Sequence, residues 1–245
     1  ATMASRRRNS GTCMTADPLP SWNDCGAKRS ILSFLARVTD DAAPDFVPLP
    51  ERVAVFDNDG TLWPENPIPF QMAFAVDEAK RHAAEDPKIA ADPMVKALLA
   101  GDYDKLMAGP HHEGLLQIIN ITHSGMTTDE FTKAVEAWMA TAKHPRFDVL
   151  YDQLTYQPMQ EVLAFMRANG FTTYIVSGGG ADFMRVWSDR VYGIPPGQVV
   201  GSTAGVKYEL RDSGPVLVNL VKTLFSSWIA SLAALKSSIL STLLL

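Results

Sequence analysis

Cysteine is scarce in this 245-residue chain: there are two, Cys13 and Cys25, both near the N-terminus and outside any CxxC spacing. That excludes a thiolate zinc site and a disulfide framework, so cysteine does not set the redox compartment. A basic surplus is also missing. Lys and Arg number 22 against 27 Asp and Glu, for a formal net charge of -5, and the one dense basic run is Arg6-Arg7-Arg8. Binding a phosphate backbone needs a concentrated cationic surface, so nucleic acid is not an expected partner. No apolar stretch of seven or more residues follows the basic N-terminus, which leaves no secretory pattern and makes a cytoplasmic location the expectation. Residues 1–16 are expected to be leader or disordered. What is present is ordinary globular composition, 47% hydrophobic and 20% charged, at a length that suits one domain or a core with an inserted subdomain.

From Asp24 to Val38, Ile31, Leu35 and Val38 recur at helical spacing, with Asn23 or Asp24 placed to cap. Val53–Phe56 is an unbroken apolar run that reads as a short buried strand, closed by the turn residues Asn58-Asp59-Gly60. From Pro64 to about Leu150 the periodicity is helical, over 70–83, 94–99, 113–122 and 128–142. Thr127 and Glu130 form a capping-box pattern before the last of these. A helix over 159–169 stops at Gly170, and a strand over 171–176 follows. Ser177-Gly178-Gly179-Gly180 then opens a helix over 181–192, and short strands are expected at 198–200, 206–210 and 215–218, the last two joined by a turn. Strands alternating with helices predict an α/β fold with a Rossmann-like, mainly parallel sheet. The helices of 64–150, lying between the first two clear strands, read as a helical cap inserted into a core made of 17–63 and 151–222.

Two strand ends carry chemistry. At the first, Asp57 and Asp59 stand two residues apart after a buried strand, where open α/β sheets place their ligands. Close carboxylates repel unless a cation or a shared proton relieves them. Sparse oxygen ligands of this kind suit Mg²⁺, which keeps waters and takes further ligands from phosphate. A calcium loop fails on spacing, because Leu62, Trp63 and Pro64 follow; a plain surface turn is the competing reading. At the second, the glycines after Ser177 let backbone N–H groups approach an anion, and the serine hydroxyl adds a donor. An ordinary tight strand-to-helix turn would look the same in isolation.

Taken together, Asp57-Asn-Asp59-Gly-Thr61 and Ser177 resemble the first and second motifs of the haloacid dehalogenase-like phosphohydrolases, in their phosphoserine phosphatase-like branch. Residues 17–23, 56–63, 144–147, 156–159 and 175–180 strengthen the resemblance, which covers about 17–212. It implies that Asp57 attacks phosphorus to give an aspartyl-phosphate and that Asp59 protonates the leaving alkoxide and then activates water. It implies too that Mg²⁺ is held by Asp57 and by the Asp59 backbone carbonyl, and that Ser177 and the Gly178 N–H hold the phosphate. The implied partner is a small phosphorylated substrate, phosphoserine among the candidates. His111, His112, His123, His144 and Arg146 in the cap are expected to be surface or structural residues, with Arg146 able to meet a substrate carboxylate; Trp138 and Trp187 are expected in the core.

The resemblance breaks off near Gly214. Residues 213–245 contain no Asp or Glu, and Lys222 and Lys236 are their only charges. The family's lysine and its last acidic, metal-completing motif have no match there. Residues 223–245 are long and apolar enough to span a bilayer, though six serines and a central lysine weaken that reading, and the abrupt break near Gly214 favours a frame change. The expectation is an impaired phosphatase with some apolar sheet surface left bare; the alternative is an inactive module that binds a phospho-ligand.

Overall fold

The computed structural model describes residues 16–106, 108 and 113–220. Helix α1 (Gly26–Thr39) lays Leu35 and Val38 against Phe171, as its periodicity predicts. Its N-cap is Cys25, with no side-chain cap bond. The expected cap at Asn23 or Asp24 is thus two residues or one residue early, and Asp24 instead pairs with Arg29. Strand β1 (Val53–Phe56) follows, and then six helices: α2 (Phe70–Glu85), α3 (Pro87–Ala91), α4 (Pro93–Leu99), α5 (Tyr103–Leu106), α6 (Glu113–His123) and α7 (Thr128–Thr141). Helices α3 and α4 each begin with a proline behind an aspartate whose carboxylate takes the first free N–H groups, which is why so short a pair holds its shape. The capping box of Thr127 and Glu130 is formed as its spacing predicts.

After α8 (Gln157–Ala168) comes β2 (Thr172–Gly180), longer than its apolar run because the strand continues through Ser177 and the glycines. The single helix expected over 181–192 is two, α9 (Ala181–Arg185) and α10 (Ser188–Tyr192). The chain breaks between them where the buried Trp187 stacks 4.1 Å from Trp63. Strands β3 (Val199–Ser202), β4 (Gly205–Arg211) and β5 (Gly214–Leu220) complete the described residues.

The fold is α/β. Strands β1, β2 and β3 form a parallel sheet in that order, and β4 and β5 form a separate antiparallel hairpin. An aromatic core joins the helices of 64–150 to this sheet. Phe74 of α2 lies within 6 Å of His123, Phe131, Trp138 and Phe183, drawn from three other helices. Trp138 and Trp187 are both buried, as expected. A second cluster, including Ala79, Val95, Leu98 and Ile118, is internal to α2–α6. Strand β1 is an edge strand among the described residues, and Val53 and Val55, two residues apart on one face of the sheet, are 51% and 46% exposed. No helix of the described residues is long and apolar enough to cross a membrane; residues 223–245 lie outside them.

Candidate active site

The parallel register pairs Phe56 of β1 with Ile175 of β2, so Asp57 and Ser177 emerge at the same end of neighbouring strands. Beyond Phe56 the chain turns sharply. The carbonyl of Asn58 accepts from Thr61 and Leu62, and Gly60 donates to the carbonyl of Trp63. Gly60 has a φ of +74° with the Glu65 carboxyl packed over it, a conformation in which a side chain would be strained. Asp57 is exposed and accepts from the Asn58 N–H at 2.8 Å. Asp59 turns inward, where the Trp63 indole N–H donates to its Oδ1 at 2.7 Å. Burial raises the Asp59 carboxyl above the usual carboxylate range; the Trp63 hydrogen bond works against the rise, and the charges of Asp57 and Glu65 add to it.

The second strand end owes its shape to an irregular ladder. Val176 pairs with Val200 and Gly180 with Ser202, so three residues of β2, 177–179, stand against Gly201 alone. The excess backbone bulges toward Asp59. The Ser177 hydroxyl accepts from the Gly179 N–H at 3.2 Å, and Ser202 donates to the Gly178 carbonyl at 3.0 Å. A Cβ placed on Gly179 would lie 3.5 Å from Ser177 Oγ and 3.8 Å from Asp59 Oδ2. The inward carboxylate of the first strand end and the hydroxyl of the second therefore converge on one glycine.

A residue that sequence patterning passes over completes this lip. Gln71, in the first turn of α2, accepts from the Gly180 N–H at 2.7 Å through its Oε1. Its amide occupies the space that a side chain on Gly180 would need. Gln71→Ala is expected to lose about 1 kcal/mol of stability, read as a lower urea midpoint, because one partly buried hydrogen bond between residues 109 apart in sequence disappears.

Between this lip and helices α2, α6 and α7 lies a cavity of about 240 Å³. Asp59 and Gly178–Gly180 stand at its wall, Met72, Ala75, Ile119, Phe131 and Phe183 give much of its apolar surface, and Gln71, Asp182, Ser202 and Asn219 are other polar residues there. His123 lines it too. It is 6% exposed, its Nδ1 is bonded to the Thr122 hydroxyl at 2.6 Å, and its Nε2 has no partner. Burial lowers its pKa to about 4. His144 is structural as expected: buried, it donates from Nε2 to the Asn66 carbonyl and accepts from the Arg146 N–H. The Arg146 guanidinium lies over the Phe147 ring and does not line the cavity. His111 and His112 lie outside the described residues.

Asp182 tests whether another acidic side chain stands in for the missing motif. It pairs with Arg185 at 3.2 Å, and among the described residues no three His, Cys, Asp or Glu side chains gather as a metal-holding group. Asp57, an exposed carboxylate, and the Asp59 carbonyl remain as oxygen donors at the strand end. They suit a hard cation that retains most of its waters.

A family model described as haloacid dehalogenase-like hydrolase matches residues 54–215, about two thirds of the chain. Among solved structures, a phosphoserine phosphohydrolase-like protein from Francisella tularensis is similar at 15% identity and a TM-score of 0.37, over 72% of this chain and 65% of its own. A protein of unknown function from Bordetella pertussis is similar at 20% identity and a TM-score of 0.43, over 66% and 63%. A functionally unknown protein from Anaerococcus prevotii matches at 13% identity and a TM-score of 0.46, over 78% and 70%. The chain thus spans just under two thirds of the first two structures' length. No curated protein matches it.

Proposed function

The chain belongs to the haloacid dehalogenase-like hydrolases, and from that membership we propose that it hydrolyses a small phosphomonoester through an aspartyl-phosphate on Asp57. The observation that carries this reading is the convergence of Asp59 and Ser177 on Gly179, within 4 Å of a single position. In the first step an Asp57 carboxylate oxygen forms a bond to phosphorus as the bond to the leaving alkoxide breaks. Asp59 gives its proton to that alkoxide; a carboxyl kept partly out of water, as this one is, is suited to the task. In the second step water attacks phosphorus, passes a proton back to Asp59 and frees Asp57 and inorganic phosphate. Ser177 Oγ and the Gly178 N–H orient the phosphoryl oxygens.

Asp57 and the Asp59 carbonyl are the groups that would hold magnesium, which when bound would neutralise charge on the phosphoryl oxygens. With no third acidic side chain gathered there among the described residues, the site is anion-poor for such an ion. We accordingly expect slow turnover by the 245-residue chain. The same deficit favours a second reading, a module that binds a phosphorylated ligand without hydrolysing it.

Hydrolysis of an aryl phosphate by the purified chain, with and without Mg²⁺ and beside Asp57→Asn, separates these. The expected result is slow, Mg²⁺-dependent release that falls to the buffer blank in Asp57→Asn. Release that survives in the variant would refute the nucleophile, and turnover near the ordinary enzyme value of about 10 per second would refute impairment. Phosphate binding with no release at all would favour the second reading.

A further inference from the structure

We infer that the leaving group accepted by this site is a compact apolar alcohol or phenol of about ring size, so that the substrate is an apolar phosphomonoester rather than a phosphorylated amino acid or sugar. This rests on the reading of the strand-end site as a phosphatase, and it concerns what lies beyond the phosphoryl group. Asp59 and Gly178–Gly180, neighbours of Asp57 and Ser177, line one part of the cavity, and Met72, Ala75, Ile119, Phe131 and Phe183 give the remaining wall its apolar surface. An apolar cavity of about 150 Å³ holds benzene; one of about 240 Å³ accommodates a substituted or fused ring.

Most of the polar groups that reach the wall are engaged; the Asn219 side-chain amide and His123 Nε2 are the exceptions among the described residues. Gln71 accepts from Gly180, Ser202 donates to the Gly178 carbonyl, Asp182 pairs with Arg185, and His123 Nδ1 is tied to Thr122. Neither Lys nor Arg is among the lining residues. His123 does not supply the missing cation, since its burial keeps it neutral at physiological pH. A phosphoserine carboxylate entering here would lose its water without gaining a counter-charge, and a sugar would leave several hydroxyls unpaired. An aryl group loses nothing polar and covers the apolar wall.

The test is equilibrium binding to the intact chain of 1-naphthyl phosphate, O-phosphoserine, inorganic phosphate and 1-naphthol. 1-Naphthyl phosphate is expected to bind roughly 100-fold more tightly than either O-phosphoserine or inorganic phosphate, the scale at which a filled apolar pocket discriminates. Ala204, on the loop between β3 and β4 and half-buried at the cavity wall, gives the variant. Ala204→Leu should cut the naphthyl-to-phosphate ratio at least tenfold, and Ala204→Gly should keep it. If the three phosphates bind alike, or if Ala204→Leu leaves the ratio unchanged, the leaving-group class is wrong while the phosphatase reading stands. If 1-naphthol binds as tightly as its phosphate, the phosphoryl site itself fails, and this inference falls with it.

Discussion

Acidification from pH 6.5 to 4 should cost the protein about 3 kcal/mol of stability through His123 alone. The imidazole is buried against Phe74 and Phe131, 6.0 and 4.7 Å away between ring centroids, with the Nε2 unpartnered. Its pKa drops from the ordinary 6.5 to about 4 in the folded chain. The unfolded chain therefore takes up a proton across this interval that the folded chain refuses. The contribution is whole above pH 6.5, drains away as the pH falls toward 4, and levels off below. At 1.36 kcal/mol for each pKa unit the difference amounts to about 3 kcal/mol. Urea unfolding of the native chain and of His123→Phe, measured at several values between pH 7.5 and 4, isolates the effect. The native curve should fall more steeply by that amount, and parallel curves would show that the imidazole is hydrated or paired in solution.

Gly201→Ala is expected to damage the site from behind. A Cβ on this residue would come within 2.7 Å of the Gly179 carbonyl oxygen and 2.9 Å of the Ala181 nitrogen. Both are backbone atoms, so no side chain can swing away, and the bulge of Ser177–Gly179 must shift. Overpacking of this kind costs about 1–3 kcal/mol, and a displacement near 1 Å at a reacting group costs about 100-fold in rate. Single-turnover release from an aryl phosphate, with enzyme in excess, reads the second effect, and the thermal midpoint reads the first. Stability lost with the rate unchanged would mean that the bulge does not position the phosphoryl group. Gly197→Ala, whose added carbon meets nothing within 4 Å, is the control.

Where a signal lies within a few consecutive residues, the sequence reveals it. The apolar run of β1, the turn after it and the capping box at Thr127 depend on neighbours within four positions, and each forms as read, except that the strand expected to be buried leaves Val53 and Val55 exposed. The mainly parallel sheet was legible for the same reason, since alternation of strand and helix leaves few connections. The two ends of the candidate site were legible as motifs, but what shapes them was not. Gln71 reaches Gly180 across 109 positions, and Gly201 is required only because three residues of β2 bulge against it. Trp63 reads as one more apolar residue until its indole N–H is seen on Asp59. The glycines after Ser177 look like the end of a strand, since glycine weakens strands in general; here the strand runs on through them. The break at Trp187 likewise coincides with a contact distant in sequence, its ring lying 4.1 Å from that of Trp63.

Strand β1 has a second face to its role. The four residues that carry Asp57 to the site also present, among the described residues, an unpaired backbone edge and, on one sheet face beside it, two half-bare valines. Such an edge is a template for any extended chain it meets. In practical handling the protein should therefore be a poor traveller at high concentration: losses on filters, drifting light-scattering baselines and recovery improved by dilution. Charging the edge with Val53→Lys, three residues from the chain's turn toward Asp57, should make those losses smaller.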